Sequence, residues 1–321
     1  MIESTGANPA ALAPGTACEQ LQKRAAAISA IRNYFAQQQV LEVSTPQLYA
    51  YPSSDPQLQS FAVTDTLLPA TQYLQTSPES SMKQLLAKGS GSIYQICKAY
   101  RRDPPGKLHA CEFTILEWYR TGYTLAQIID DTLALVESVI GRRPADIISY
   151  REAFIRYAGA DPHCLQGKNL REFAREKICV EFDDKSDDVW LDLLHSHLVE
   201  PQLGRDCYTI VHSYPASQAA MAEIVRDNEG AAVAARFELY VDGIELANGY
   251  QELTDADEQQ RRFERDNATR CARGLPPVPI DQPLLNAMRE PGLPACAGVA
   301  LGVDRLLLLL QNSSPAAEKN N

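Results

Sequence analysis

The sequence predicts an α+β fold in which helices flank an antiparallel sheet. Strand-like and helix-like segments follow one another in mixed order along the 321 residues. Residues 236–252 have the pattern of a β-hairpin, and no internal repeat or linker interrupts residues 20–310. With 45% hydrophobic and 22% charged residues, the chain can bury a substantial core and has the composition of an ordinary globular enzyme.

The first part of the chain combines an arm, a helix and short strands. Residues 1–18 begin with a segment rich in Ala, Pro and Gly and are predicted to be a mobile arm. Apolar residues at helical spacing predict a helix over Glu19–Gln39, and the run Val40–Pro46 predicts a strand closed by proline. Residues 60–100 then predict short strands around a helix near Ser80–Lys88.

The rest of the chain predicts further strands and helices of the same domain. A strand–loop–strand unit spans Ile93–Arg120, and residues 124–200 are predicted to be mainly helical, without a chemical signature. A very polar helix is expected over Asp255–Arg273, followed by a Pro-rich turn and a last strand and helix. We therefore expect one domain over residues 19–311 and a polar tail over residues 312–321.

Composition narrows the function classes. No apolar run approaches the length of a membrane span, and the N-terminus lacks the pattern of a signal peptide, which makes the cytoplasm the expected location. The eight cysteines form no C-x-x-C pair and are expected to be thiols. The net charge of −11 argues against broad, nonspecific binding to nucleic acid, although a local basic patch for one partner stays possible.

The hairpin brings two carboxylates together. Asp242-Gly243 predicts a type I′ turn, which places Tyr240 opposite Glu245. Glu238 then lies on the same face as Glu245, diagonally across the strand pair at roughly 7–8 Å or less. Two such carboxylates repel each other unless a cation lies between them, and a divalent metal would supply it. The alternative is two solvated acids on an open face of the sheet.

The unit over Ile93–Arg120 carries groups that suit a nucleotide. Arg101, Arg102 and Asp103 leave the first strand, while His109 precedes the second and Phe113 lies on it. An aromatic ring can stack on a base, and a guanidinium can grip phosphate with two hydrogen bonds. The alternative is an ordinary amphipathic hairpin with a charged surface.

The C-terminal strand–helix junction is a second candidate for phosphate binding. Gly298 and Gly302 allow close approach of the backbone where a strand meets a helix, and helix N-termini favour anions. Arg305 lies in the first turn of that helix and could reach a polyphosphate. Tight packing is the alternative reason for the glycines.

Together, these units resemble the motifs of the class II aminoacyl-tRNA synthetases in order and spacing. The strand ending at Pro46 is similar to motif 1, a dimer element. Arg101-x-Asp103, with His109 and Phe113, is similar to motif 2, and Gly302-x-Asp304-Arg305 is similar to motif 3. The strings Ser77-Pro78-Glu79, Glu112–Tyr119 and Asn248–Glu252 resemble the lysyl-tRNA synthetase catalytic domain.

A more specific resemblance is to the ligases that attach a lysine-type amino acid to elongation factor P. The strings Phe113–Arg120, Gly243–Gly249, Glu252–Asp255 and Gly298–Arg305 carry it, and it covers roughly residues 20–310. Lysyl-tRNA synthetases carry an N-terminal anticodon-binding domain, for which this chain leaves no room, so tRNA is not the expected partner. Ala300 supports this choice, because lysyl-tRNA synthetases usually have glycine there.

The resemblance implies a role for each site residue. Arg101 would bridge the amino-acid carboxylate and the α-phosphate of ATP, Phe113 would stack on adenine, and Arg305 would hold outer phosphates. Glu238 and Glu245 would bind Mg²⁺, and Glu252 with Tyr119 would bind the distal ammonium of lysine. The implied catalytic residues are Arg101 and Arg305. The implied ATP site contains Arg101, Arg102, Asp103, His109, Phe113, Glu245, Leu246, Gly302 and Arg305. The implied substrate site contains Ser77, Pro78, Glu79, Glu117, Tyr119, Asn248, Tyr250, Glu252 and Ala300.

Two features depart from the simplest picture. The family usually has glutamate at the position of Asp103, and Asn-Pro where this chain has Ala110-Cys111. In addition, strict alternation along the strand puts Glu245 and Glu252 on opposite faces, although both are implied in one site. A bulge or bend near Asn248-Gly249 would reconcile them.

The function implied by the resemblance is ATP-dependent activation of (R)-β-lysine as an adenylate and its transfer to a lysine side chain of elongation factor P. A homodimer is expected through motif 1. Two other functions stay open: a lysine-type ligase that charges tRNA, and a non-catalytic regulator that binds an amino acid or a partner. The sequence does not separate α-lysine from β-lysine. His195 and His197 are expected to be exposed helix residues rather than metal ligands.

Overall fold

The computed structural model describes residues 17–312, apart from residues 69, 105, 107, 108 and 181–183. The predicted arm over residues 1–18 and tail over residues 312–321 therefore lie almost wholly outside the described residues. The N-terminal half contains α1 (Ala17–Gln37), β1 (Leu41–Glu42), β2 (Leu48–Tyr49), β3 (Ala62–Val63), β4 (Gln72–Leu74), α2 (Glu79–Ala87), β5 (Ile93–Tyr100), β6 (Glu112–Thr121), α3 (Leu125–Ile140), β7 (Ala145–Ser149) and α4 (Tyr150–Tyr157).

The second half completes the sheet and its helical cover. It contains α5 (Gly167–Ile178), α6 (Asp187–Leu194), β8 (Tyr208–Pro215), β9 (Ile224–Arg226), β10 (Ala232–Val241), β11 (Ile244–Gln251), α7 (Ala256–Ala272), α8 (Gln282–Ala287), β12 (Cys296–Gly302) and α9 (Val303–Asn312). Among the described helices, none has both the length and the apolar character that crossing a membrane requires.

One large sheet organises the molecule. Its strand order is β1-β5-β6-β12-β11-β10-β8-β7, and β9 pairs with β10. The central pairs are antiparallel, whereas β1 pairs with β5 and β7 pairs with β8 in parallel. A small second sheet has the order β2-β4-β3. The antiparallel sheet flanked by helices is the architecture that the sequence predicts.

Three buried clusters hold the helices against the sheet. One joins α1, α3 and α9 to the central strands through residues such as Phe35, Trp118 and Leu306. A second gathers α4, α5 and α6 around Phe154 and Trp190. The third joins α2 and α8 to the sheet. The helices therefore cover a continuous hydrophobic surface, which fixes the strands that line the site.

Most predicted elements are confirmed, and the differences have simple causes. The predicted strand Val40–Pro46 is reduced to Leu41–Glu42, because only these residues pair with β5. The segment over residues 124–200 is mainly helical but also contains β7, whose five residues are too short to show a clear period. Neither β8 nor β9 was predicted.

The histidine pair differs from expectation in one member. His197 is exposed, as predicted, but His195 is only 8% exposed and stacks on Tyr150 with the ring centroids 5.5 Å apart. The prediction of an exposed His195 is wrong because its ring packs against Tyr150 of α4 and Tyr240 of β10, which local spacing does not reveal. Burial lowers the pKa of His195 to about 4, so the ring is neutral at neutral pH.

The hairpin of β10 and β11 has the predicted turn and an additional bulge. Asp242 and Gly243 have φ angles of 51° and 74°, and Tyr240 pairs with Glu245. The register then shifts, because Leu239 pairs with Ala247 and leaves Leu246 as an extra residue. The bulge that the site requires therefore exists, but it lies at Leu246 rather than near Asn248-Gly249.

A buried polar network joins α1, β6 and α3 behind the sheet. The Asp131 carboxylate accepts hydrogen bonds from the Tyr34 hydroxyl at 2.7 Å and the Trp118 indole at 3.1 Å. The same carboxylate forms an ion pair with Arg120 at 3.2 Å, and both charged side chains are almost fully buried. The Asp131 carboxylate therefore connects α3 to both α1 and β6.

We expect Asp131→Ala to lower the free energy of unfolding by about 3–5 kcal/mol, because it leaves the Arg120 guanidinium buried without its countercharge. Urea denaturation measures the change. Asp130→Ala is the matched control, since Asp130 is the exposed neighbour on the same helix. Equal stability losses in the two variants would contradict the role assigned to the network.

Candidate active site

A cavity of about 820 Å³ lies on one face of the central sheet and collects nearly all of the predicted site residues. Side chains from β6, β11 and β12 form its floor, and α1 and α9 contribute to its wall. Two predicted residues do not line it: Arg102 is exposed, and Pro78 is the buried residue that precedes α2. The predicted residues on its wall are Ser77, Glu79, Arg101, Asp103, His109, Phe113, Glu117, Tyr119, Glu238, Glu245, Leu246, Asn248, Tyr250, Glu252, Ala300, Gly302 and Arg305.

One end of the cavity carries arginines and an aromatic ring. The Arg101 guanidinium lies 5.0 Å from the centre of the Phe113 ring, and its Nε is buried without a hydrogen-bond partner among the described residues. Arg305 lies 3.4 Å from Nε2 of His109. Burial and the positive charge of Arg305 lower the pKa of His109. This end can therefore take an anion, since a buried N–H donor without an acceptor is costly to leave unpaired.

Asp304 positions the start of α9 against this end. Its carboxylate accepts a hydrogen bond from the Thr114 backbone N–H at 2.7 Å and forms an ion pair with Arg24 at 2.9 Å. Arg24 also donates to the Thr114 hydroxyl at 2.8 Å. The junction of β12 and α9 is thereby tied to β6 and α1, which holds Arg305 at the cavity.

Two carboxylates, Glu238 on β10 and Glu245 on β11, line the cavity from paired strands. Glu238 accepts hydrogen bonds from Arg236, Tyr214 and Tyr240, and these partners keep it ionised. Glu245 contacts Arg305 at 3.2 Å. Burial and the charge on Glu238 raise the pKa of Glu245.

The pair has the chemistry of a Mg²⁺ site that a substrate completes. Within the described residues, no group of three or more His, Cys, Asp or Glu side chains is arranged to hold a metal. Mg²⁺ commonly uses one or two carboxylates together with the phosphates of a substrate. Glu238 and Glu245 fit that requirement, and their assignment as metal ligands stays a prediction.

The opposite end of the cavity is buried and acidic. Glu117 is 2% exposed and accepts hydrogen bonds from Ser77 at 2.5 Å and Tyr119 at 2.7 Å. Burial and the nearby charge of Glu79 raise the pKa of Glu117 to about 8. With this pKa, Glu117 holds a proton at neutral pH and can lose it when a cation binds.

Glu252 and Glu79 at this end both form ion pairs with one buried lysine, Lys83. The Lys83 ammonium lies 2.6 Å from Glu252 and 2.7 Å from Glu79. Lys83 and Glu252 are each about 1% exposed at the side chain. Burial, only partly offset by Lys83, raises the pKa of Glu252 to about 7.

Two backbone features bring these groups together. The bulge at Leu246 turns Asn248, Tyr250 and Glu252 to the face that also carries Glu245. Gly298 on β12 leaves room, since a Cβ there would lie 2.4 Å from the Tyr119 ring and 2.5 Å from Glu252. The acidic end therefore depends on a position without a side chain.

Comparison of the sequence with known proteins identifies the family. The sequence profile of the class II tRNA synthetases (D, K and N) matches residues 12–317. The elongation factor P–(R)-β-lysine ligase of Pectobacterium carotovorum subsp. carotovorum (strain PC1) is 44% identical over 314 residues, which cover 95% of each chain. The ligases of the same name from Photorhabdus laumondii and Salmonella typhi are 44% and 43% identical, over 92% and 95% of each chain.

This chain belongs to the class II tRNA synthetase family. Within it, the chain groups with the elongation factor P–(R)-β-lysine ligases, so the resemblance inferred from the motifs is confirmed. The predicted fold class and the membership of a family of ligases are confirmed with it. The described residues contain no separate anticodon-binding domain.

Sequence reasoning missed several residues that organise this synthetase-family site. Lys83 follows Glu79 by four residues, and this ion-pair spacing on a predicted helix was an available signal. Arg236 lies two residues before Glu238, on the same face of the strand, and pairs with it. Arg24 and Thr114 carried no local signal, because their link to Asp304 joins residues far apart in the chain.

We expect the stability of the protein to fall as the pH rises from about 5 to 8, in part because of Glu117. Its pKa is raised to about 8 in the folded state, against an unfolded value near 4.5. Between these values the folded state binds more protons than the unfolded state, so the free energy of unfolding falls by on the order of 1 kcal/mol per pH unit for such a group.

Urea denaturation at pH 5, 6, 7 and 8 tests this expectation. Glu117→Gln should flatten the pH dependence, because glutamine cannot titrate. Glu112→Gln on the same strand is the control, since Glu112 is exposed. A slope that is the same in wild type and Glu117→Gln would show that Glu117 titrates as an ordinary carboxyl.

Proposed function

We propose that this chain activates (R)-β-lysine with ATP as an adenylate and transfers it to a lysine side chain of elongation factor P. The observation that carries the proposal is one cavity with an arginine-rich end and a buried acidic end. The acidic end offers three carboxylates to a ligand with two ammonium groups, and the arginine end offers donors to phosphates and a carboxylate. The names of the relatives, matched over nearly their whole length, support elongation factor P as the acceptor.

In the first step, the amino-acid carboxylate attacks the α-phosphate of ATP, forming the acyl-adenylate and releasing pyrophosphate. Arg101 would hold both the carboxylate and the α-phosphate, and its unpartnered Nε supports this role. Arg305 and His109 would bind the outer phosphates. Catalysis of this step consists mainly of alignment and charge neutralisation, which these fixed donors supply. Mg²⁺ bound by Glu238 and Glu245 would neutralise phosphate charge.

In the second step, the acceptor lysine amine attacks the carbonyl carbon of the adenylate. An amide bond forms and AMP leaves. The acceptor must first lose a proton from its ammonium group, so transfer should slow at low pH. The acidic end would hold the amines of the bound amino acid away from the reacting carbonyl, with Glu252 and Tyr119 at the distal ammonium. Glu79 and Glu117 would then bind the other amine.

A homodimer is part of the proposal. Leu41 on β1 is 58% exposed, and β1 is both the edge strand of the large sheet and the element that is similar to motif 1. An exposed apolar side chain at this edge of the sheet suits a contact with a second copy of the chain.

We expect elongation factor P to gain one lysyl-sized mass increment when it is incubated with this protein, ATP, Mg²⁺ and (R)-β-lysine. Intact-mass spectrometry measures the increment, with α-lysine run in parallel to rank the two amino acids. Glu252→Gln should abolish it, because the distal ammonium loses its charged partner. Glu264→Gln, at an exposed position of α7, is the control and should leave it unchanged.

Absence of the increment with an acceptor from the same organism would reject the proposal as stated. Charging of tRNA with lysine by the same preparation would then identify the alternative acceptor. If the folded protein supports no ATP–pyrophosphate exchange with any amino acid, a non-catalytic binding role is favoured.

We also expect Gly298→Ala to raise the KM for the amino acid by about tenfold to a hundredfold, because the new methyl group displaces Tyr119 and Glu252. ATP–pyrophosphate exchange measures it. The KM for ATP in the same variant is the control and should stay within about twofold, since the clashes of the new methyl group with Tyr119 and Glu252 lie at the acidic end of the cavity. An unchanged KM in Gly298→Ala would show that the amino acid does not bind at the acidic end of the cavity.

A further inference from the structure

Lys83 occupies an unusual position for a lysine. Its side chain is 1% exposed, and it projects from α2 between residues that pack into the core. It does not line the cavity, although both of its carboxylate partners, Glu79 and Glu252, do. Lys83 therefore lies directly behind the wall of the acidic end and can reach a ligand only through those two side chains.

The Lys83 ammonium group contacts side chains of the protein itself. It lies 2.7 Å from Glu79, 2.6 Å from Glu252 and 4.0 Å from the sulfur of Met221. Burial by itself lowers the pKa of Lys83, but the two carboxylates outweigh burial and keep it above the ordinary value. The ammonium group is therefore a permanent positive charge at this place.

A buried ion pair of this kind needs a reason other than stability. Replacing buried ion pairs with apolar side chains is often neutral or stabilising, because removing the charges from water costs as much as their attraction gains. Here the two carboxylates face a cavity on one side and the ammonium group on the other. The arrangement suits a cation that fixes the direction of its partners.

Lys83 also sets the net charge of the acidic end. Glu79, Glu117 and Glu252 carry three negative charges when ionised, and Lys83 cancels one of them. Two negative charges then remain for a ligand. Lysine and β-lysine each carry two ammonium groups, so the balance matches the amines of the proposed substrate.

We propose that Lys83 is a positioning residue that orients Glu79 and Glu252 and sets the acidic end to accept two ammonium groups. The proposal rests on the proposed function, because it concerns how the same cavity recognises its amino acid. Lys83 acts through its two carboxylate partners and does not touch the substrate. It thereby controls how tightly and at which pH the amino acid binds, while ATP binding at the other end is independent of it.

Removing the charge changes the protonation of the whole cluster. Without Lys83, the pKa of Glu252 rises further, so Glu252 as well as Glu117 keeps a proton at pH 7. The acidic end then carries one negative charge fewer than two ammonium groups require. A higher pH removes the proton and restores that charge. The titratable groups facing Lys83 and its partners are Glu79 from α2, Glu117 and Tyr119 from β6, Tyr250 from β11, Glu252 just after β11, and Cys296 from β12.

The test compares Lys83→Met with Lys88→Met, since Lys88 is the exposed lysine at the end of the same helix. ATP–pyrophosphate exchange gives the KM values for (R)-β-lysine, α-lysine and ATP at pH 7 and pH 8.5. In Lys83→Met, we expect the amino-acid KM at pH 7 to rise about tenfold or more while the ATP KM stays within about twofold. Part of the loss should be recovered at pH 8.5. Lys88→Met should match wild type throughout.

A double variant, Glu79→Gln with Lys83→Met, tests the charge balance. It removes one charge of each sign, so its pH dependence should return toward that of wild type. A folded Lys83→Met with the KM and pH profile of wild type overturns the proposal. If Lys83→Met does not fold, the double variant decides: a wild-type pH dependence supports the proposal, and a shifted one overturns it.

Failure of the proposed function gives a different result. In that case wild type itself supports no exchange, and calorimetric titration with lysine and with norleucine, which lacks the distal amine, replaces the kinetic assay. Preference for lysine in wild type that is reduced in Lys83→Met supports the positioning role even without catalysis. Wild type that binds neither amino acid overturns both proposals.

Discussion

The extra residue in β11 is the constraint on which the site depends. A strand presents alternate residues to opposite faces, so without the bulge Glu245 and Glu252 would lie on different sides of the sheet. Leu246 is an extra residue without a partner on β10, so the alternation shifts by one residue. Asn248, Tyr250 and Glu252 then lie on the same face as Glu245. One strand can then carry Glu245, which contacts Arg305, and lead to Glu252, which pairs with Lys83 at the acidic end.

Opposite electrostatic solutions serve the two ends of this cavity. At the arginine-rich end, Arg101 and Arg305 are fixed by ring and carbonyl contacts, and donors are left for an anion. At the acidic end, the carboxylates are buried deeply enough that the pKa values of Glu117 and Glu252 are raised to about 8 and about 7. The proposed dicationic ligand would supply the missing countercharges, so its binding and the ionisation of the pocket would be linked. Lys83 supplies one positive charge to the carboxylates of this end.

Much of the fold could be predicted because its signals are local. The type I′ turn at Asp242-Gly243, the helix over α1 and the strands of Ile93–Arg120 each depend on a few neighbouring residues. The strands β7 and β8 could not be assigned in the same way, because they pair with each other in parallel across a long connection. The prediction for His195 failed because its burial is set by contact with Tyr150 on another helix.

The sequence by itself determined the chemical groups of this protein and their order: the arginines, the acidic hairpin and the glycine-bearing C-terminal strand, together with the family they resemble. The tertiary structure alone decided which of these groups share a cavity. The position of the bulge, the Lys83 pairing with Glu252 and the link from Arg24 to Asp304 depend on contacts between distant segments. Such contacts form only when the sheet is assembled, since local propensity carries no information about which strands become neighbours.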